Sequence, residues 1–393
     1  MSTLVEYLIK TSDQSFEEMA FNEVDGLVLA YAASFLHYTN VKKQGSVSFS
    51  ELKDEKGMRQ FTSQPAHPDN RQLFKAMSQS KRYGEVAMIH PLEVIKPKEK
   101  EKFRAMTYQL PNAKRVATFK GSDSSLLSWE ENCRMLLKKP LPAVLSAVDY
   151  LKETMALTDN AYFIAGYSKG GHIASAASLL LPEVIFKQVL AVYSYDGPGI
   201  SHIEELDELA ETVGFEQYKL IPQESCIGAL FEEAENYQVI ESTARGLDQH
   251  NPHTWNIENN QFMRVAKISK KSAWLSHLAD GLIAASEEAR AIETIDYLFA
   301  LLKESDIVSI RDFNQLNVQK LRRVHRQRQA LADENRGYAP LELIKLLAVL
   351  LSGELKTAAI SVIAKKHKQI KQIKRRLIKE IEKFQLYGAY PLQ

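Results

Sequence analysis

Residues 161–181 read AYFIAGYSKGGHIASAASLLL, and three textures meet inside them. Ala161–Ala165 is a short, nearly continuous apolar run with aromatic and β-branched members, as a strand buried on both faces requires. Gly166-Tyr167-Ser168-Lys169-Gly170-Gly171 is a glycine-punctuated bend, and from Gly171 to Leu180 small and aliphatic residues continue without a breaker, which predicts a helix. A G-x-S-x-G set between strand and helix predicts a sharp, strained turn that lifts the serine oxygen above a sheet edge. The new helix aims its free N–H groups, and the positive end of its dipole, at the same spot. In that setting Ser168 reads as a nucleophile and the amide of Lys169 as one donor to a developing oxyanion. Without the flanking elements the same spacing would be an ordinary turn.

Outward from this stretch, further strand-like runs are Arg115–Lys120, Val189–Tyr195, Gln217–Ile221 and Tyr237–Glu241, with a helical pattern at Pro142–Met155 between the first of them and the elbow. Strand alternating with helix predicts an α/β fold, a mostly parallel sheet covered by helices. Beyond about residue 260 the texture changes to long stretches of Leu, Ala, Ile, Lys and Glu with few Gly or Pro. Residues 261–393 hold 24 Lys and Arg against 14 Asp and Glu, whereas residues 1–260 hold 26 against 35. We therefore expect a core over 1–260 and a basic, α-helical C-terminal extension over 261–393.

A second segment, Phe119-Lys120-Gly121-Ser122-Asp123-Ser124-Ser125-Leu126-Leu127-Ser128-Trp129, follows the strand run that precedes the serine. Acyl transfer on such a sheet needs a second oxyanion donor from an early strand-end loop, and a glycine followed by a hydroxyl residue suits it. Ser122 is the candidate. A Ser/Asp turn capping the following helix would use the same residues, and the two roles are compatible.

At these residues the chain resembles known proteins. FKGSDSSLLSW is similar to the F-R-G-[ST]…W segment of the class 3 lipases, and GYSKGGHIA to their G-H-S-L-G-G-A-L-A elbow. FNEVDGLVLAYAASFLHY (residues 21–38), EKFRAMTYQLPNAKRVATFKGSD (101–123), YSYDGPG (193–199), IPQESCIGAL (221–230) and QHNPHTW (249–255) resemble a narrower bacterial set in the α/β-hydrolase superfamily, the Mbeg1-like proteins. The resemblance covers roughly residues 20 to 260 and implies an α/β-hydrolase fold, with Ser168 as nucleophile and Ser122 at the oxyanion hole. Two positions depart from the lipase pattern: Lys120 stands where Arg is expected, and Tyr167 where His is expected. Lysine lacks the planar fork of arginine, which weakens the expected support of the oxyanion loop, whereas a tyrosine hydroxyl can still hydrogen-bond.

A serine nucleophile needs a base from later in the chain. Of ten histidines, His172, His202, His250 and His253 lie between the elbow and residue 260. His172 follows the serine by four positions on the same helix, and His202 lies in a turn after Asp196-Gly197-Pro198-Gly199. His250 and His253 occupy a polar segment with a proline, after the last sheet-like run, where a loop can bring imidazole over the serine. The resemblance carries its QH-P pattern onto His250. For the acid, Asp196 ends a strand run on the serine's sheet edge and fits the order Ser…Asp…His. It equally suits a turn-starting aspartate, and Glu224 and Asp248 remain alternatives.

These residues point to a serine hydrolase, lipase- or esterase-like, acting on a small ester, thioester or lipid. The other reading is a catalytically silent α/β-hydrolase scaffold whose basic helical C-terminus binds a partner or a membrane surface. The stripe Ile363, Ile370, Ile373, Leu377 and Ile381 on a lysine-rich segment, and the run KLRRVHRQR at 320–328, favour such contacts or simply a solvated helix face.

Composition narrows the classes. The 393 residues are 45% apolar and 25% charged with net charge +1, which argues against fibrous or disordered chains and against a surface built for nucleic acid. Cys133 and Cys226, the two cysteines, cannot build a disulfide framework or a cysteine zinc site, and no H-E-x-x-H or G-x-x-x-x-G-K-[ST] motif appears, so no cofactor is expected. The opening MSTLVEYLIKTSDQSFEEM lacks a basic start before an apolar core, and Leu341–Leu351 is interrupted and short of the ~20 residues of a span. A cytoplasmic protein is expected.

Overall fold

A computed structural model of the chain describes residues 2–312 apart from 64–67, 213–215, 234–235, 286, 305 and 310–311. The basic segments at 320–328 and 360–383 and the apolar stretch 341–351 lie outside the described residues. Contacts group the chain into two units. One comprises Met1–Asp123 with Leu127–Ile295, and the other joins Ser124–Leu126 to the residues from Asp296 onward. In the second unit Ser125 and Ser309 form an antiparallel bridge, and Ser309 Oγ donates to the Ser124 carbonyl at 2.8 Å.

The first unit is built on an eight-stranded sheet whose spatial order follows the chain: β1 (Val47–Ser48), β2 (Ala87–Lys96), β3 (Glu101–Gln109), β4 (Arg115–Phe119), β5 (Tyr162–Tyr167), β6 (Val189–Tyr195), β7 (Glu216–Pro222) and β8 (Gln238–Ile240). β4 to β8 run parallel, and β1 to β4 pair antiparallel. The fold is α/β, with a mostly parallel sheet flanked by helices. The expected strands all form. The strands β1, β2 and β3 were not expected: β1 is only two residues long, and Glu, Lys and Arg interrupt the apolar pattern of β2 and β3.

Helices fall on both faces. From the N-terminus come α1 (Leu4–Lys10), α2 (Glu23–Ala32), α3 (Tyr38–Gln44), α4 (Glu55–Phe61) and α5 (Pro68–Gln79). Between the parallel strands lie α6 (Leu126–Arg134), α7 (Pro142–Met155), α8 (Lys169–Leu179), α9 (Glu183–Phe186) and α10 (Glu204–Thr212), followed by α11 (Lys270–Ala285) and α12 (Glu288–Glu304). Parallel strands laid down in sequential order with right-handed crossovers put the crossover helices on one face. The opposite face, carrying Val116, Phe163, Ala165, Tyr193 and Tyr195, must be covered from elsewhere, and α2 covers it with Val24, Leu27 and Val28 in one buried cluster.

A buried ion pair holds this N-terminal layer. Arg82 and Asp25 are both fully buried, with Nε–Oδ1 at 2.9 Å, and Arg82 also donates to the carbonyls of Ser15, Met19 and Ala20. Tyr7 and Tyr83 donate hydroxyls to the same carboxylate, so each charge meets several partners, the condition under which burial of an ion pair is tolerated. No helix among the described residues is long and apolar enough to cross a membrane.

Candidate active site

β5 ends at Tyr167 and α8 begins at Lys169, leaving Ser168 alone to turn the chain. Its backbone sits at φ 59° and ψ −130°, a left-handed conformation that costs an L-residue on the order of 1–3 kcal/mol. Glycines make the turn possible. A Cβ at Gly166 would lie 1.9 Å from the Gly170 carbonyl oxygen, and one at Gly170 would lie 2.1 Å from the Phe119 carbonyl oxygen. The Ser168 hydroxyl makes no capping bond to α8, so its oxygen is left for other partners.

That oxygen lies 3.1 Å from His250 Nε2, and His250 Nδ1 lies 2.6 Å from Asp196 Oδ2. Asp196 immediately follows β6 in a left-handed conformation (φ 46°), its amide bonded to the Leu220 carbonyl of the adjacent β7. Its carboxylate is 1% exposed, and Oδ1 accepts from the Gly228 amide at 3.0 Å and from the Ser225 hydroxyl. The carboxylate is therefore aimed by fixed donors before it meets the imidazole, whose side chain keeps 25% exposure toward solvent.

The loop bearing His250 is fixed from several sides. Gly246–His250 is a short 3₁₀ turn; the Gly246 amide donates to Glu224 Oε2 at 2.5 Å, and the Glu224 amide donates to Gln249 Oε1 at 2.7 Å. Buried Gln249 donates to the Ala244 carbonyl, and Trp255 Nε1 donates to the Gln249 carbonyl. Glu224 thus sits on the histidine loop's backbone, whereas Asp248 is exposed in the same turn. Tyr167 completes the clamp: its ring stacks on the imidazole at 4.8 Å and 23°, and its hydroxyl donates to the His250 carbonyl.

The other histidines are engaged elsewhere. His172 is fully buried with Nδ1 3.0 Å from the Gly199 carbonyl, and burial together with nearby His202 pulls its pKa down to about 4. His202 Nε2 donates to the carbonyl of Met135 at 2.7 Å. His253 Nε2 lies 2.7 Å from Asn70 Oδ1, which also accepts from Tyr31.

The loop after β4 runs against Ser168. A Cβ at Gly121 would stand 2.8 Å from the Tyr167 carbonyl oxygen and 3.3 Å from Ser168 Cβ, so glycine is what allows this approach. Ser122 follows, its hydroxyl donating to Asn132 Oδ1 of α6 at 2.6 Å. Lys169 supplies the first amide of α8, where no earlier turn offers it a helical carbonyl. Its side chain is buried: Nζ donates to the Lys102 carbonyl at 3.0 Å and pairs with Glu131. Burial raises the Glu131 pKa, with Lys169 opposing the rise.

The sequence did not single out Ser225, Gln249, Trp255, Asn132 or Glu131, or foresee what Tyr167 would bond. Each acts by meeting a group distant in the chain, and no local spacing marks such a meeting. Among the described residues no cluster of His, Cys, Asp and Glu is arranged to hold a metal ion.

Residues 77–300 match the family described as Mbeg1-like. Among solved structures, the crystal structure of M37 lipase aligns at 11% identity with a TM-score of 0.35, over 67% of this chain and 80% of that one. No curated protein matches.

Proposed function

The chain belongs to the Mbeg1-like family, and on that footing we propose that it is a serine hydrolase that cleaves an ester or thioester through an acyl-enzyme on Ser168. The observation that carries the reading is the continuous contact from Ser168 Oγ to His250 Nε2, and from His250 Nδ1 to buried Asp196, at 3.1 and 2.6 Å. His250 takes the Ser168 proton as Oγ adds to the substrate carbonyl. Asp196 holds the ring so that Nε2 is the accepting nitrogen, and it faces the imidazolium that results. The Lys169 amide and Ser122 receive the oxyanion. Collapse expels the alcohol or thiol, which takes the proton from His250; water, deprotonated by the same ring, then frees the acid and restores the serine.

The substrate class we propose is a small ester, thioester or lipid. A reducing, cytoplasmic setting is in keeping with the free thiols of Cys133 and Cys226. We also retain the division of roles near residue 260, with the basic region 261–393 outside the catalytic core.

The test is labelling by a fluorophosphonate probe together with turnover of 4-nitrophenyl esters of graded acyl length. Wild-type protein should label once and turn over a short ester, and Ser168→Ala should lose both. Labelling that survives in Ser168→Ala, or a wild type that neither labels nor turns over any ester, would overturn the assignment in favour of a silent scaffold.

A further inference from the structure

One row of side chains on the sheet remains unused by this mechanism. Glu93 of β2 is paired with Arg104 of β3 in the antiparallel ladder. The β3–β4 register sets Ala105 opposite Phe119 and continues one step, with the Lys120 amide donating to the Arg104 carbonyl at 3.0 Å. Lys120 therefore stands opposite Arg104, and directly opposed residues of an antiparallel pair project to the same face. On the other side of β4, Phe119 aligns with Gly166, so Lys120 and Tyr167 are the next positions on their strands. Side chains alternate, and the face holding Arg104, Lys120 and Tyr167 is the one that carries Met106, Val116 and Ala165. The row thus runs Glu93, Arg104, Lys120, Tyr167, and Tyr167 is the ring stacked on His250.

The charges in this row are not balanced pairwise. Arg104 engages Glu93 and lies 3.4 Å from Asp123, while Lys102 lies 2.6 Å from Asp123. Both carboxylates are thus held by other cations. Among the described residues Lys120 Nζ makes no hydrogen bond and no ion pair, although the residue is only partly exposed. Like charges set directly opposite are destabilising in a sheet. Burial, then Arg104, pulls the lysine's pKa down to about 8. A half-buried cation crowded by a second cation is the arrangement that an incoming anion relieves. Its backbone leads straight into Gly121, which packs on Ser168.

We infer that Lys120, backed by Arg104, is the subsite for an anionic group of the substrate, a carboxylate or a phosphate, held beside the ester carbonyl. This deepens the hydrolase reading and rests on it for the position of the carbonyl. The row itself, from Glu93 to Tyr167, does not depend on that chemistry.

The experiment measures selectivity ratios within one preparation. In the first arm, kcat/KM for the mono-4-nitrophenyl ester of glutaric acid is divided by that for 4-nitrophenyl butyrate. In the second, octanoate release from dioctanoylphosphatidic acid is divided by release from dioctanoylglycerol. Lys120→Met should lower at least one ratio about tenfold, the scale of one lost charge-assisted contact, and Lys120→Arg should keep most of it. The arm that responds identifies the source as a carboxylate or as a phosphate headgroup. A third arm needs no turnover: calorimetric binding of the glutarate monoester and of dioctanoylphosphatidic acid to Ser168→Ala, with and without Lys120→Met. Tighter binding that depends on Lys120 in Ser168→Ala, beside a wild type that fails phosphonate labelling, would keep the subsite and remove the hydrolase. Ratios and affinities that Lys120→Met leaves unchanged in all three arms would overturn the subsite, whatever becomes of Ser168.

Discussion

The ring of Tyr167 lies flat against the imidazole of His250, 4.8 Å between centroids, and its hydroxyl donates to the carbonyl of that same residue. The residue beside the candidate nucleophile in sequence is thereby the one that holds the candidate base, whose side chain enters from 82 positions further along the chain. The edge of Tyr31 meets the Tyr167 ring at 5.4 Å, which backs the stack from α2. Tyr167→Phe keeps the stack and removes one hydrogen bond, worth about 1 kcal/mol. We expect kcat to fall roughly fivefold with KM nearly unchanged, and Tyr167→Leu to fall further. A fall in KM affinity alone, with kcat intact, would show that Tyr167 binds substrate and does not position the base.

Asp196 aims His250 while Gly228 and Ser225 aim Asp196. Asp196→Asn should cost on the order of 10³–10⁴-fold in kcat, because an amide can present its N–H to the ring and favour the wrong tautomer. Rates for Glu224→Gln should fall far less, since its carboxylate meets the Gly246 amide. The reverse ranking of the two variants would make Glu224 the acid.

Gly121 packs against the turn at Ser168, where a Cβ on it would stand 3.3 Å from Ser168 Cβ. In Gly121→Ala the added methyl meets the Tyr167 carbonyl at 2.8 Å, so the loop or the elbow must shift by a few tenths of an ångström. Positioning errors of that kind cost about 10²-fold when they misalign reacting groups. The check is a steady-state rate next to a thermal melt: activity should collapse while the melting temperature moves little.

Lys169 and Glu131 are 2% and 0% exposed and answer each other's charge at the start of α8. Glu131→Gln strands a buried ammonium and should destabilise by about 3–5 kcal/mol. The double variant Glu131→Leu with Lys169→Met should recover most of that loss in denaturant melts. A single variant as stable as wild type would mean the pair contributes nothing to holding the turn.

The crowded Lys120 makes a prediction about stability and pH. Its folded pKa of about 8 lies below the ordinary lysine value of 10.5, so folding disfavours the charged form, which faces Arg104 and Lys102 from β3, Glu93 from β2 and Asp123 from the following loop. The cost is fully present below pH 8 and is relieved as pH rises toward 10.5. Lys120→Met should therefore be the more stable protein at pH 7, by on the order of 1–2 kcal/mol once solvent screening is allowed for. That advantage should close between pH 8 and 10.5. A constant difference across this range would mean the lysine carries no such strain.

What the sequence determined was local. The run from Ala161 to Leu180 encodes strand, bend and helix within twenty residues, because burial, glycine sterics and helix propensity all act over a few positions. The parallel strands from β4 to β8 were legible for the same reason, as were Ser168 and the proximity of the Gly121 loop. Tertiary structure decided the rest. His250 and His253 lie three positions apart in one polar segment, and the choice between them falls to Glu224, Gln249, Trp255 and Tyr167, which fix the direction of one ring. Asp196 and Glu224 are separated by whether a carboxylate meets an imidazole or a backbone amide, contacts that span 54 and 22 positions. The row from Glu93 to Tyr167 exists only through strand register, which a one-residue slip would erase. Short-range spacing is written in the order of residues; which distant groups meet is set by how the packed layers align.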